Sequence, residues 1–254
     1  DNSGSGFVSR TTQVIDRFTD ARVVRQANDP TLDRNLGLLN YQQSIRKFGK
    51  NNSVANGAFE TVWTGAANGG ALNYVFATSA QTVRIKAGGN AADTAAGLGA
   101  QKISVQGLDE NWNEIEEDII TAGALASAAT TGLFFTVNRV FCKEVGAFGV
   151  SNTGTIVIEN TTTGTELAYI APLIGITEQC IYTVPAGKTI YITKIRVSVG
   201  QSDSADIRLA TIKFADDIAG VGGTFTSVKE IEWEIEDFSG ARDFELDTYL
   251  GKRL

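Results

Sequence analysis

The run AQTVRIKAGGNAADTAAGLGAQKISVQGLDENWNEIEEDI, from Ala80 to Ile119, limits what this chain can fold into more than any other stretch. Val83 and Ile85 alternate with Thr82, Arg84 and Lys86, and Ile103 and Val105 alternate with Lys102, Ser104 and Gln106. A period of two belongs to strands that bury one face. Between them, Ala91 to Gly99 is too small and too broken by glycine to carry a helical apolar stripe, so it reads as a surface connector. The turn Asp109-Glu110-Asn111-Trp112-Asn113 then reverses the chain, its Asp and Asn side chains suited to local bonds with the backbone.

The same grammar continues downstream. Expected strands are Phe59 to Thr64, Thr82 to Ala87, Lys102 to Leu108, Ile115 to Thr121, Leu133 to Lys143, Gly154 to Asn160, Glu166 to Ile170, Cys180 to Val184, Thr189 to Val199, Asp206 to Phe214, Val228 to Glu236 and Phe244 to Leu246. Short strands separated by turn clusters predict an all-β fold of β-sandwich or jelly-roll-like modules. In Thr189 to Val199 the alternation changes phase around Thr193-Lys194, which predicts a bulge. A run of threonines, Thr161 to Thr163, and a turn at Val184-Pro185-Ala186-Gly187-Lys188 suggest a module boundary between them. The expected organisation is an arm over residues 1–56, a first module over 57–165 and a second over 166–254.

The arm differs from the rest in charge. Up to Asn56 there are eight Lys/Arg and five acids, a balance of +3, so the overall −7 leaves −10 on the remainder. Apolar residues such as Phe7, Ile15, Phe18, Leu36, Tyr41 and Phe48 are scattered through it, too many for a purely solvating tail. Asp29-Pro30 can start a helix, and Leu32, Leu36 and Leu39 recur at helical spacing, so a short helix within 31–48 or an extended arm is expected. A basic, apolar-studded leader on an acidic body suits attachment to a foreign surface. Its candidate assembly residues are Arg17, Arg22, Arg25, Arg34, Arg46, Lys47 and Phe48, with Trp112 at a turn tip of the body.

Residues for chemistry are harder to find. The chain has no histidine, so histidine-dependent triads and zinc sites are excluded. Glu230, Glu232, Glu234 and Glu236 alternate with Ile231, Trp233 and Ile235, which reads as a charged strand face, because paired catalytic carboxylates need different environments and a facing partner. The 109–113 turn opens like a calcium loop, but Glu114 stands where glycine is needed and Ile120 where a bidentate glutamate is needed. Gly97-Leu98-Gly99 and Gly220 to Gly223 lack dinucleotide or P-loop spacing. Cys142 and Cys180 read as buried reduced thiols, with a disulfide as the alternative. No apolar run approaches the ~18 residues of a membrane span, so a soluble chain is expected. Methionine is absent, position 1 included, so processing, a leader or a boundary within a longer chain is expected to account for Asp1.

Four segments together resemble a family of virion structural proteins from tailed phages, marine ones especially. They are Asp93-Thr94-Ala95-Ala96-Gly97-Leu98-Gly99-Ala100 followed by Val105-Gln106-Gly107-Leu108-Asp109-Glu110-Asn111, then Lys47-Phe48-Gly49-Lys50-Asn51, Phe59 to Gly65, and Tyr182 to Thr189. Gly49-Lys50-Asn51 departs from the Gly-Arg-Asn of that pattern, and the loop from Gly65 to Ala71 is longer. The resemblance implies a non-enzymatic virion protein without cofactor, most directly a head decoration or cement protein. Its partners would be the major capsid protein or other virion proteins and further copies in a homotrimer, with no nucleic acid and no membrane. The alternative is a tail or fibre component that binds carbohydrate or a host surface through exposed aromatics such as Trp63, Trp112 or Tyr74.

Overall fold

The computed structural model describes residues 45–51, 61–65 and 74–191, and elsewhere the backbone of strands alone. The chain divides into two units, Asp1–Arg46 and Lys47–Leu254. In the first, β1 (Gln13–Ile15) pairs antiparallel with β2 (Arg22–Val24), Gln13 opposite Val24. The helix expected within 31–48 lies outside the described residues except at 45–48, which are irregular.

The second unit is all-β among its described residues. Its strands are β3 (Val83–Ile85), β4 (Ala100–Leu108), β5 (Glu114–Ile120), β6 (Thr136–Val145), β7 (Ile156–Asn160), β8 (Glu166–Ile170), β9 (Thr189–Tyr191), β10 (Lys194–Val199), β11 (Arg208–Ala219), β12 (Thr224–Ile235), β13 (Gly240–Glu245) and β14 (Gly251–Arg253). Antiparallel pairs join β9 to β14, β10 to β13 and β11 to β12. In the last pair Glu230 is registered opposite Lys213 and Glu232 opposite Thr211. The phase shift expected near Thr193 falls where Ile192 and Thr193 lie outside the described residues.

Two small antiparallel sheets, ordered β3-β7-β8 and β5-β4-β6, carry the described core. The alternation in sequence becomes a division of faces: Ile103 lies opposite Ile119 and Val105 opposite Val140, while Ser104 opposite Asp118 and Gln106 opposite Arg139 fall on the other face. Val83, Ile85, Ile156, Ile158, Leu167, Ala168 and Ile170 from one sheet share a single buried cluster with Ile103, Val105, Ile119, Val137 and Val140 from the other. Each fully buried aliphatic side chain contributes roughly 1.5–3 kcal/mol of hydrophobic stabilisation. Phe134, expected inside the β6 strand, instead precedes it. It exchanges backbone bonds of 2.8 and 3.0 Å with Gln81, linking the approach to β6 with the approach to β3.

Both sheet edges nearest to loops are closed by specific partners. The hydroxyl oxygens of Thr130 and Ser127 accept the amides of Val83 and Ile85 at 2.9 Å, while the amides of Thr130 and Ser127 donate to the Val83 and Ile85 carbonyls. That covers the outer edge of β3 without a further strand. Along β6, the Cys142 amide donates to Gly175 O, the Thr177 amide to Val140 O, and the Gln179 side chain to Val137 O at 3.0 Å. The strand expected over Cys180 to Val184 is therefore an irregular segment, held instead by Asn138, whose side chain both donates to and accepts from the Thr183 backbone.

Glu166, the expected first residue of a second module, is the first residue of β8, which pairs with β7 and sends Leu167 and Ile170 into the shared core. Lys47 and Phe48, assigned to the arm from charge, fall in the unit Lys47–Leu254.

Candidate functional site

Of the expected assembly residues, Arg17, Arg25 and Arg34 lie outside the described residues, and Arg22 is described only as backbone opposite Ile15. Arg46 and Phe48 are exposed. Lys47, between them, is half-buried and donates its Nζ to the Asn138 carbonyl on β6. Burial lowers its amine to about 8, opposed by nearby Cys180 and reinforced by nearby Arg139. The chain is pinned just beyond it. A Cβ at Gly49 would stand 2.4 Å from Val62 O and 2.5 Å from Cys180 N, so only glycine lets these backbones meet. The Lys50 and Thr64 amides both donate to Glu178 O, and Trp63 bridges Gln179, so 47–51 and 61–65 are both laid against residues 178–180.

Trp112 does not project as a free tip. Asp109 Oδ1 accepts the amides of Asn111 and Asn113 at 2.8 and 2.9 Å, which closes the turn and holds the Asp109 carboxyl below its usual range. Trp112 follows at φ 62, an uncommon conformation for a bulky side chain. Its indole packs edge-on against Phe135 at 5.0 Å, and its carbonyl accepts the Ala186 amide. Two segments that carry the family resemblance thus meet, the 105–111 turn and the 182–189 turn.

The aromatics expected to offer a sugar platform are corrected by burial. Trp63 and Tyr74 are 4% and 8% exposed, with Ile181 beside them and Phe76 packed against the cluster. Trp63 meets Tyr74 edge-on at 5.2 Å, and Tyr74 meets Phe76 at 4.9 Å. Burial raises the Tyr74 phenol well above its ordinary range. This is a core, and sequence could not separate it from a platform because aromatic residues serve both.

The polar groups most deeply buried tie the main chain together. Asp93, 3% exposed within the expected surface connector, accepts the amides of Ala100 and Thr153 through Oδ1 at 2.8 Å and of Gly154 through Oδ2 at 2.7 Å. A Cβ at Gly99 would stand 2.1 Å from that carboxylate. Asn152, fully buried, donates to Gly154 O and Ala171 O and accepts from the Gly175 amide. Glu117 accepts the amides of Thr131 and Gly132. On the outer face of β5-β4-β6, Asp118 pairs with Lys143 at 2.8 Å, Lys102 with Glu144, and Arg139 lies over Phe141. Glu116 takes bonds from Ser104 and Gln106, which with Lys143 nearby lower its carboxyl. Such exposed pairs, screened by water, add little to stability.

Both cysteines are free. Cys142 is partly buried, which raises its thiol to about 11, whereas Cys180 is exposed, against the expectation that both are buried. Among the described residues no group of three or more His, Cys, Asp or Glu stands together as a metal site.

The sequence reading missed an apolar end. β3 and β8 finish where β7 begins, β5 and β6 finish where β4 begins, and the bonds from Gly88 N to Ala124 O and from Thr153 N to Asp93 Oδ1 bring these ends of the two sheets together. The connectors there present Leu98 at 71% exposure, Phe148 at 105% and Leu173 at 73%, with Val150 and Ile174 also exposed. The signal was available as Val145-Gly146-Ala147-Phe148-Gly149-Val150 and Pro172-Leu173-Ile174-Gly175, apolar runs broken by turn formers.

Compared with known proteins, the chain matches no family model, no curated protein and no solved structure.

Proposed function

We propose that this chain is a non-enzymatic structural protein of a virion, built of β-sandwich modules, that decorates or cements a capsid as a homotrimer. The observation that carries the reading is the use of its buried polar side chains. Asp93, Asn138 and Asn152 each bind main-chain groups of distant loops, so their chemistry serves rigidity. The resemblance at 47–51, 93–111 and 182–189 supports the virion assignment, and the charge division supports attachment through the basic N-terminal residues.

Deleting residues 1–46 tests the attachment. That cut spares Lys47 and the Lys50 bond to Glu178, so the body keeps its fold. The truncated protein should stay soluble with an unchanged thermal midpoint and fail to join particles. Normal incorporation would overturn the proposal.

A further inference from the structure

The apolar end of the two sheets is built from loops whose backbones are bonded to one another. The Gly146 amide donates to Gly99 O at 2.9 Å, which sets the 97–99 turn beside the 146–150 turn. The Leu173 amide donates to Asn152 O at 2.9 Å, and the Gly175 amide to Asn152 Oδ1 at 2.8 Å, which sets 171–175 against the strand of chain that follows Val150. Leu98, Phe148, Val150, Leu173 and Ile174 therefore share one end of the two sheets. Their exposed side chains amount to a surface on the order of 600 Å², at the top of the range for the largest apolar patch on a monomer and near the ~800 Å² that each partner gives to a stable interface.

Two features separate this end from ordinary surface. Leu173 holds φ 65, where glycine or asparagine is usual, and the buried Asn152 fixes the chain on both sides of it. A large apolar side chain is thus presented to water on a rigid, strained support, so little freedom remains to be lost on contact. Charge is the second feature. Residues 94–101, 145–158 and 167–177 contain no Asp, Glu, Lys or Arg, although the chain beyond Asn56 carries −10.

We infer that this end is where copies of the chain meet. Identical acidic bodies repel wherever their acids are brought together, and the loop end is a face on which two copies touch without doing so. A face that is apolar throughout can also meet its own copies where they converge on a three-fold axis, without the matched charges that a polar face would need there. The inference deepens the trimeric part of the proposed function and rests on it, but is independent of the virion role.

Light scattering on the full chain between 1 and 100 μM, as round working concentrations in the range where weak self-association shows, tests it. Phe148→Asp combined with Leu173→Asp is the main variant, Leu98→Asp the second, and Thr162→Asp at the opposite end the control. The wild type and the control should be trimeric. The double variant should dissociate with a midpoint raised at least about tenfold, and Leu98→Asp should shift it in the same direction, both with unchanged circular dichroism. A trimer that persists in both loop variants would overturn the interface while leaving the trimer intact. A monomeric wild type would overturn both. Binding of monomers to neutral phosphatidylcholine vesicles, lost in the double variant, would assign the face to lipid instead. None of these outcomes depends on incorporation into particles, so the virion role fails or stands separately.

Discussion

The two ends of the paired sheets solve the same problem, closing strands into turns, in opposite ways. At the turn end, Asp109 and Asn160 gather local amides and the large Trp112 folds back onto Phe135, while Leu133 stays partly exposed. At the loop end the polar side chains are buried beneath the loops and the hydrophobes stand outside. A chain selected for solubility alone would resemble the first end at both. The inversion is what the proposed contact between copies would require.

The comparison is most easily broken at Asp93. Replacing it with alanine strands the amides of Ala100, Thr153 and Gly154 away from water, and should lower stability in chemical denaturation by about 3–5 kcal/mol. Asn at the same position, which keeps an acceptor, should lose less. A loss under 1 kcal/mol for the alanine variant would mean that the loops hold themselves.

Lys47 gives the next effect, through pH. Its amine is held at about 8 against an ordinary 10.5, so between these values the folded chain binds fewer protons than the unfolded one and stability rises with pH. The stability of the wild type relative to Lys47→Met should therefore increase from pH 7.5 to 10.5 by on the order of 2 kcal/mol, after discounting for partial exposure. Cys142, raised to about 11 from 9, acts with the opposite sign between those values, but it is common to both proteins and cancels; Cys180, raised by burial and lowered by the Lys47 charge, does not, so both proteins are compared with Cys180→Ser in place. A difference that stays flat across the range would place the amine in water.

Smaller effects sharpen the contrast between turn and loop. Trp112→Ala removes the half-buried contact with Phe135 and should cost about 1–2 kcal/mol, with no change in oligomeric mass. In the Phe148→Asp background, where the copies are apart, Leu173→Asn should go the other way and stabilise by roughly 0.5–1 kcal/mol, a small rise in thermal midpoint, because asparagine accepts φ 65 more readily than leucine. If Leu173→Asn destabilises in that background, the leucine is there for packing within its own chain, whereas a loss confined to the trimer belongs to the interface.

The sheets were legible because one-sided burial writes itself into sequence as alternation. Ile103, Val105, Ile156 and Ile158 point inward as the pattern required, and β8 has the bounds expected of it, Glu166–Ile170. Segments held by side chains were not legible. Residues 175–183 follow β6 through Gln179, Asn138 and Thr177, whose partners lie some 40 residues away and leave no local period. The connector from Ala91 to Gly99 does run over the surface, with Ala91, Ala95, Ala96 and Leu98 exposed, but its small residues gave no sign that Asp93 would be buried among three amides. Charge assigned Lys47 to an arm, whereas its stem lies against the body, a distinction between electrostatics and burial that composition cannot make.

The wedge at Gly49 sets an order of events during synthesis. Its site is made of Val62 O and Cys180, and Lys50 bonds Glu178, so the 47–51 segment has nothing to close on until residues near 180 have left the ribosome. At typical elongation rates those intervening residues take on the order of ten seconds to appear. Throughout that interval Trp63 and Tyr74 lack Ile181, the aliphatic member of their cluster. The nascent chain therefore carries an unsealed aromatic surface for seconds, a window in which a holdase can bind it and a crowded polysome can mispair it.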